Sequence, residues 1–396
     1  MADTKKTPRI VVIGAGVGGL CAAIRLALAG LSVTLVEAQA YPGGKMRTVP
    51  SVAGPVDAGP TVLTLRRVFD DLFRAAGENL EDHLTLIPQP TLARHWWTDG
   101  SRLDLFTDTE ASAAAIATFA GARAEDEFIR FNRLSARLFQ AFDAPMMQAG
   151  RPRIAGILLN TLCNPAIWPS LLPRRTLARQ LAASFTDPRL RQLFGRFATY
   201  VGGTPDRSPA VLSLVWQAEA QGVWAVAGGM GQLAKALAGL ASRLGVTLRY
   251  GVAAQTILRQ SGRVSGLVLS DTRTLTCDAV VFNGDPAALL AGLLGNGPQQ
   301  ALRPAAAIPR SLSAWVWSFA ATPSPIDLVH HNVFFCSDPC REFAPLAEGR
   351  MSEEATLYVC AQDRSSGPAS GPERFEIIMN AAPEPALSPH EVTKAC

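Results

Sequence analysis

Charge is scarce in this sequence. Asp, Glu, Lys and Arg make up 18% of 396 residues, with 37 cations against 33 anions. A net charge of +4, so mild and so scattered, excludes a nucleic-acid binder, which would gather its basic residues on one face. Metal-ligand patterns are also missing. C-x-x-C does not occur, Cys336 and Cys340 have no His or Cys partner at zinc spacing, and no metal is expected. The odd cysteine set (21, 163, 277, 336, 340, 360 and 396) reads as reduced thiols rather than a disulfide framework. There is no G-x-S-x-G elbow, no H-E-x-x-H and no carboxylate pair at an obvious spacing, so no conventional catalytic set is visible. No internal repeat occurs either. What the chain has instead is apolar residues, at 48%. A greasy, faintly basic chain suits an anionic membrane surface.

Chemistry enters at the N-terminus. Ile10 to Ile13 is a β-branched run of the kind found in a parallel strand buried on both faces. Lys5, Lys6 and Arg9 before the uncharged stretch Ile10–Ile24 imitate a signal peptide. Yet the glycine spacing accounts for that stretch, Arg25 interrupts it and no cleavage site comes after it, so the protein is expected to stay inside the cell. Gly14-x-Gly16-x-x-Gly19 comes directly after the strand, with Ala15 and Gly18 inside the turn. Gly14 permits the tight turn, Gly16 admits a pyrophosphate, and Gly19 lets the next helix lie close to the strand. That helix, from about Gly18 to Ala29, offers its free N–H groups and positive dipole end to phosphates. Gly30 stops it, Ser32–Val36 makes a second strand, and Glu37 at its end suits a ribose diol. The set predicts dinucleotide binding.

The residues beyond Glu37 decide which dinucleotide it is. Gly43-Gly44 with Lys45 and Arg47 can fold back over the pyrophosphate and add a second layer of contacts, which favours a permanently held cofactor. A further turn of small residues, "VDAGPT", places Gly59, Pro60 and Thr61 where backbone can pass a flavin ring. This opening resembles the flavin-dependent amine oxidase and phytoene desaturase superfamily, whose glycine fingerprint runs on into a Gly-Gly-Arg/Lys turn. The resemblance implies FAD. It also implies that a residue on the strand after a later helix touches the adenine through its backbone, a place that falls on Ala254.

The rest of the chain organises around that theme. Residues 66–150 read mostly as helices, apart from a hairpin in "RHWWTDGSRLDLF" turning at Asp99-Gly100, with Trp96 and Trp97 as core residues. Ile154 to Pro173 carries no formal charge and is flanked by Arg151, Arg153, Arg174, Arg175 and Arg179. Because Asn160, Asn164, Pro165 and Pro169 interrupt it, a segment lying in a membrane interface is expected rather than one that spans. The chain returns to a Gly-rich turn, helix and strands from Gly222, and becomes strand-rich after residue 310, suggesting an antiparallel sheet beside the substrate. The expected fold class is α/β: a discontinuous FAD-binding Rossmann-type (GR2-like) domain with an α+β substrate domain and a helical, membrane-associating insert. The expected segments are 1–75 and 223–286 for the FAD domain, 76–222 for the helical region and 287–396 for the substrate sheet.

Candidate catalytic residues are few. Adjacent His330 and His331 on one strand should point to opposite faces, so at most one should reach a cavity. Asp285, in the polar turn Asn283–Asp285, is the third candidate proton acceptor. The shortage of ionisable groups fits hydride removal from a hydrocarbon, which needs position and a dry site more than acid–base groups. "RFATYVGGTPDRSPA", "QGVWAVAGGMGQL" and "LVHHNVFF" resemble bacterial carotenoid desaturases of the phytoene desaturase type. They are most similar to the branch that desaturates 1-hydroxy- or 1-methoxyneurosporene at C-3,4 in purple bacteria. The resemblance implies a lipophilic carotenoid substrate, no nucleic-acid partner, and a peripheral place on the cytoplasmic side of the inner or intracytoplasmic membrane. Phytoene desaturation and a non-catalytic flavin-binding role remain alternatives. Family members also continue past the point where this chain stops, at "HEVTKAC", with a Gly-rich turn and helix that complete the flavin domain. That departure puts activity of the short chain in doubt.

Overall fold

A computed structural model describes residues 7–302, 310–323, 326–367 and 371–383. The chain divides into two units. The first takes Met1–Pro50, Asp57–Ile87 and Ala225–Ile308; the second takes Ser51–Val56, Pro88–Trp224 and Pro309–Cys396.

The first unit is built on β1 (Arg9–Ile13), α1 (Val17–Leu28) and β2 (Ser32–Val36). These strands form the middle of a four-stranded parallel sheet in the order 279–282, β1, β2, 247–249. Val11 and Val12 are buried, as expected of a strand covered on both faces. The helix Gly231–Arg243 packs against α1. A three-stranded antiparallel sheet (254–260, 263–269, 274–276) adds Leu267 and Leu269 to a core shared with Val11 and Val36.

The boundaries differ from those expected, and the reason is side-chain and backbone ties that composition does not reveal. Residues 76–87 stay with the first unit instead of leaving at 75. The Arg243 guanidinium holds Glu78 at 2.9 and 2.6 Å, and Ala227 N–H donates to the Thr85 carbonyl at 3.0 Å. Residues 287–302 stay there too, where Ile257 N–H donates to the Leu294 carbonyl. Residues 51–56 belong to the second unit, where Arg374 donates to the Pro55 carbonyl at 3.0 Å.

The second unit holds a six-stranded sheet in the order 313–321, 373–381, 357–361, 331–334, 91–96, 102–106. Every pairing is antiparallel except that of 331–334 with 91–96. The hairpin turns at Asp99-Gly100, where Gly100 has φ +81° and its N–H reaches the Trp97 carbonyl at 3.0 Å. It does not stand apart, however, but extends the late sheet. Trp97 is buried against Phe335, and Trp96 stacks on Phe334.

Beside the sheet, the helix Ala122–Phe142 organises an aromatic core of Phe128, Phe131, Phe185, Phe194, Phe197 and Trp216. Trp216 finds its indole acceptor in Asn132 Oδ1 at 2.7 Å. Glu127 is buried and accepts from both the N–H and the hydroxyl of Thr186. The uncharged stretch forms the helix Ile154–Leu162, none of it buried, and bends by 100° before residues 165–171. Among the described residues no single helix is long and apolar enough to cross a membrane.

Phe194 touches each of the other five rings, so Phe194→Ala empties the centre of that core. The expected cost is about 3–5 kcal/mol, read as a lower denaturant midpoint with an unchanged transition slope.

Candidate functional site

The glycine turn of the first unit is a place where backbone meets backbone. Gly14, at φ +100°, donates its N–H to the Val36 carbonyl at 2.8 Å. A Cβ on Gly19 would sit 2.0 Å from the Gly14 carbonyl oxygen, so only glycine allows α1 to start there. Gly16 caps α1 without any side-chain hydrogen bond, and its first turn contains no acid, leaving the N–H groups for an anionic ligand. Glu37 lies buried at the end of β2. Its carboxylate accepts from Ala15 N–H at 2.7 Å and Gln39 N–H at 2.8 Å, which leaves lone pairs on both oxygens for a diol.

The second glycine pair does fold back on the first. Gly43 N–H donates to the Ala15 carbonyl at 2.9 Å, and a Cβ on Gly44 would lie 3.2 Å from Gly16 Cα. Lys45 and Arg47 are exposed beside this double turn. The third turn packs on it in the same manner: a Cβ on Gly59 would come within 1.9 Å of the Lys45 carbonyl oxygen. Pro60 is exposed and Thr61 buried just beyond. Asp57 accepts from Met230 N–H at 2.8 Å and so fixes the turn that opens the helix Gly231–Arg243. Ala254 begins its strand two residues after Val252, whose N–H donates to the Glu37 carbonyl at 3.0 Å; the segment therefore runs beside the end of β2.

Asn283 is a participant that motif reading missed. Its side chain lies against the glycine turn, with Oδ1 2.7 Å from where a Gly18 Cβ would be and Nδ2 3.1 Å from that of Gly16. Its only sequence signal was a polar turn at the end of a parallel strand. Asp285, two residues on, is exposed and accepts from Ala287 N–H at 2.8 Å, capping a short helix. The cradle of close-packed glycine backbone, uncapped helix N-terminus and strand-end acid fits a dinucleotide such as FAD.

A second cluster lies in the other unit. His330 and His331 do not diverge to opposite faces as the alternation of a strand predicts. Their rings meet edge to face at 4.4 Å, because the strand begins at His331 and His330 lies just outside it. His330 Nδ1 pairs with the Ala361 carbonyl at 3.1 Å, and its Nε2 is 3.8 Å from Cys360 Sγ. His331 Nδ1 pairs with the Tyr358 hydroxyl at 2.7 Å, while its buried Nε2 has no hydrogen-bond partner among the described residues. Burial pushes both histidines below their ordinary range, His330 to about 4. His95, Arg196 and Glu219, with the half-exposed Tyr200, form a further polar group in the same unit that sequence reading passed over. Burial and the Arg196 charge lower the pKa of His95. Arg196 donates to Tyr200 at 2.8 Å and to Glu219 at 3.1 Å, and the Tyr200 hydroxyl donates to Glu219.

Two outcomes are expected. Gly19→Ala forces its new methyl into the Gly14 carbonyl, and the purified variant should carry less than a tenth of the wild-type flavin absorbance per chain. Lowering the pH should expose the cost of burying His330 neutral. The unfolded ring takes a proton at its ordinary value of 6.5, the folded ring only at about 4. Between those values the unfolded state holds more protons, so stability falls as pH is lowered, by about 3 kcal/mol across the window. In His330→Gln the dependence of melting temperature on pH from 6.5 to 4.5 should be shallower by a corresponding amount.

Comparison with known proteins agrees with this geometry. Residues 17–317 match the family described as flavin containing amine oxidoreductase. The chain is 62% identical over 385 residues to hydroxyneurosporene desaturase of Cereibacter sphaeroides, covering 97% of this chain and 78% of that one. It is 54% identical over 372 residues to hydroxyneurosporene desaturase of Rhodobacter capsulatus, covering 94% and 75%. In fold it resembles the CLA-producing fatty acid isomerase of P. acnes, with a TM-score of 0.62 at 14% identity, covering 98% of this chain and 81% of that one. The chain belongs to the flavin containing amine oxidoreductase family and, within it, to the carotenoid desaturases, FAD-dependent oxidoreductases acting on carbon–carbon single bonds.

Proposed function

We propose that this protein introduces the C-3,4 double bond into 1-hydroxy- or 1-methoxyneurosporene, in carotenoid biosynthesis of the spheroidene type. The observation that carries this reading is the 62% identity to a hydroxyneurosporene desaturase across nearly the whole chain. Bound FAD supplies the hydride acceptor, and the second hydrogen leaves the neighbouring carbon as a proton. The three glycine turns and Glu37 would hold the cofactor. Among the candidate proton acceptors His330, His331 and Asp285, His331 is the one whose ring is left with a nitrogen to spare: burial favours its neutral form, and its Nε2 has no hydrogen-bond partner among the described residues. Asp285 is engaged in capping, and His330 Nε2 lies against Cys360. A polyene end stabilises positive charge as hydride leaves, so a weak base suffices.

A lipid-dissolved substrate calls for access to a membrane. The helix Ile154–Leu162 supports a peripheral position on a membrane, which we place on the cytoplasmic side of the inner or intracytoplasmic membrane. Ile154, Leu158, Leu159 and Leu162 are all exposed, as are Trp168 and Leu172, and arginines flank the segment on both sides. An apolar surface with cations at its edges suits anionic headgroups.

The test is anaerobic. Purified protein with FAD is mixed with anionic liposomes carrying 1-hydroxyneurosporene, and the flavin and carotenoid spectra are followed together. The expected result is a bleached flavin with a red-shifted carotenoid, protein that floats with the vesicles, and no reaction with phytoene. Conversion of phytoene with hydroxyneurosporene untouched would overturn the reading.

A further inference from the structure

We propose that the Arg196–Tyr200–Glu219 network is the site that takes the oxygen at the end of the substrate and sets the choice of an oxygenated over a hydrocarbon carotenoid. The proposal rests on the functional reading above, since it names the residues that recognise that substrate's distinguishing group.

The network is costly where it stands. A guanidinium and a carboxylate are taken out of water beside Phe197, whose ring lies 4.6 Å from the Arg196 guanidinium carbon, and next to the core around Phe194 and Trp216. Buried ion pairs of this kind are often no more stable than apolar residues of the same size, so stability alone does not explain one. The enzyme's substrate is almost entirely hydrocarbon, which makes the charge pair still less needed for binding its chain.

The arrangement leaves hydrogen-bonding capacity to spare. Arg196 uses Nη1 on Tyr200 and Nη2 on Glu219, but its Nε–H is buried without a partner among the described residues. An alcohol oxygen accepts from a guanidinium, a hydrogen bond that a hydrocarbon end cannot make, so that with a hydrocarbon the Nε–H stays buried and unanswered. Sites built this way reject the analogue that lacks the hydroxyl far more strongly than apolar pockets reject a missing methylene.

The network reaches the surface of its unit. Glu219 is nearly sealed, but Tyr200 is 49% exposed and Val201 56%. The oxygen of the substrate is on C-1, two carbons from C-3. A group that holds the oxygen therefore positions the bond to be desaturated, so binding and rate should both depend on it.

Tyr200→Phe and Glu219→Gln test this, with 1-hydroxyneurosporene, 1-methoxyneurosporene and neurosporene compared as substrates in liposomes. Flavin content and melting temperature are measured alongside, and Arg196→Lys serves as the conservative variant. In the wild type kcat/KM should favour the hydroxylated carotenoid over neurosporene, with the methoxy compound between them because an ether only accepts. Each variant should lose about 10- to 100-fold on the hydroxylated substrate and change less than about threefold on neurosporene, so the preference collapses. Arg196→Lys keeps the charge but removes the Nε–H, and should lose at least as much as Glu219→Gln. Equal losses on all three substrates, or an unchanged preference, would overturn the assignment and leave the network a structural one. Wild-type protein that turns over neither oxygenated substrate would overturn the functional reading and this proposal with it.

Discussion

Backbone segments in the first unit approach one another more closely than any side chain would permit, and the cofactor cradle depends on that closeness. Gly19 lies where a methyl would reach 2.0 Å from the Gly14 carbonyl, and Gly59 where one would reach 1.9 Å from that of Lys45. Gly43 repeats the arrangement against Met46 at 2.6 Å. Three turns distant in sequence thereby nest into one surface of main chain, and α1 can direct its free N–H groups outward. The same stack carries order elsewhere. Asp57, at the entry to the third turn, reaches Met230 and so sets the start of the helix that packs on α1.

That part of the molecule was legible because its signals are local. A β-branched run, glycines at fixed spacing and a strand-ending acid gave β1, α1 and β2 to within a residue, and Asp99-Gly100 gave the hairpin. The interruptions at Asn164 and Pro165 likewise marked where the apolar stretch bends. What was not legible depends on residues brought together by the fold. Asn283 lies more than 260 residues from the glycine turn it packs against. The histidine pair was misjudged because strand periodicity was applied one residue before the strand begins. Arg196, Tyr200 and Glu219 are ordinary residues of amphipathic segments until burial isolates them, and no spacing rule distinguishes that case from a solvated face.

The second unit combines two ways of filling an interior. Around Phe194 five aromatic side chains interlock, while a few residues away Arg196 and Glu219 keep a charge pair largely out of water. Aromatic faces beside the guanidinium, Phe197 at 4.6 Å and Tyr200 at 5.5 Å, moderate the loss of solvent. Rigid packing on one side and directional polar contacts on the other hold these side chains in place before any ligand arrives, the condition under which hydrogen bonds can discriminate between similar molecules.

The parallel pairing of Arg94 with Asn332 also bears on how the protein is made. More than two hundred residues separate the partners. At ribosomal rates of about 5–20 residues per second, the hairpin at 91–106 waits on the order of ten to fifty seconds for the strand that covers its edge. During that interval it offers a row of unpaired amide groups to any neighbouring chain. Pairing of these strands is therefore a late event, closing a very long loop at a rate limited by topology rather than by local helix formation. Yield in cells should accordingly follow chaperone supply and synthesis speed more closely than it follows the stability of the finished protein.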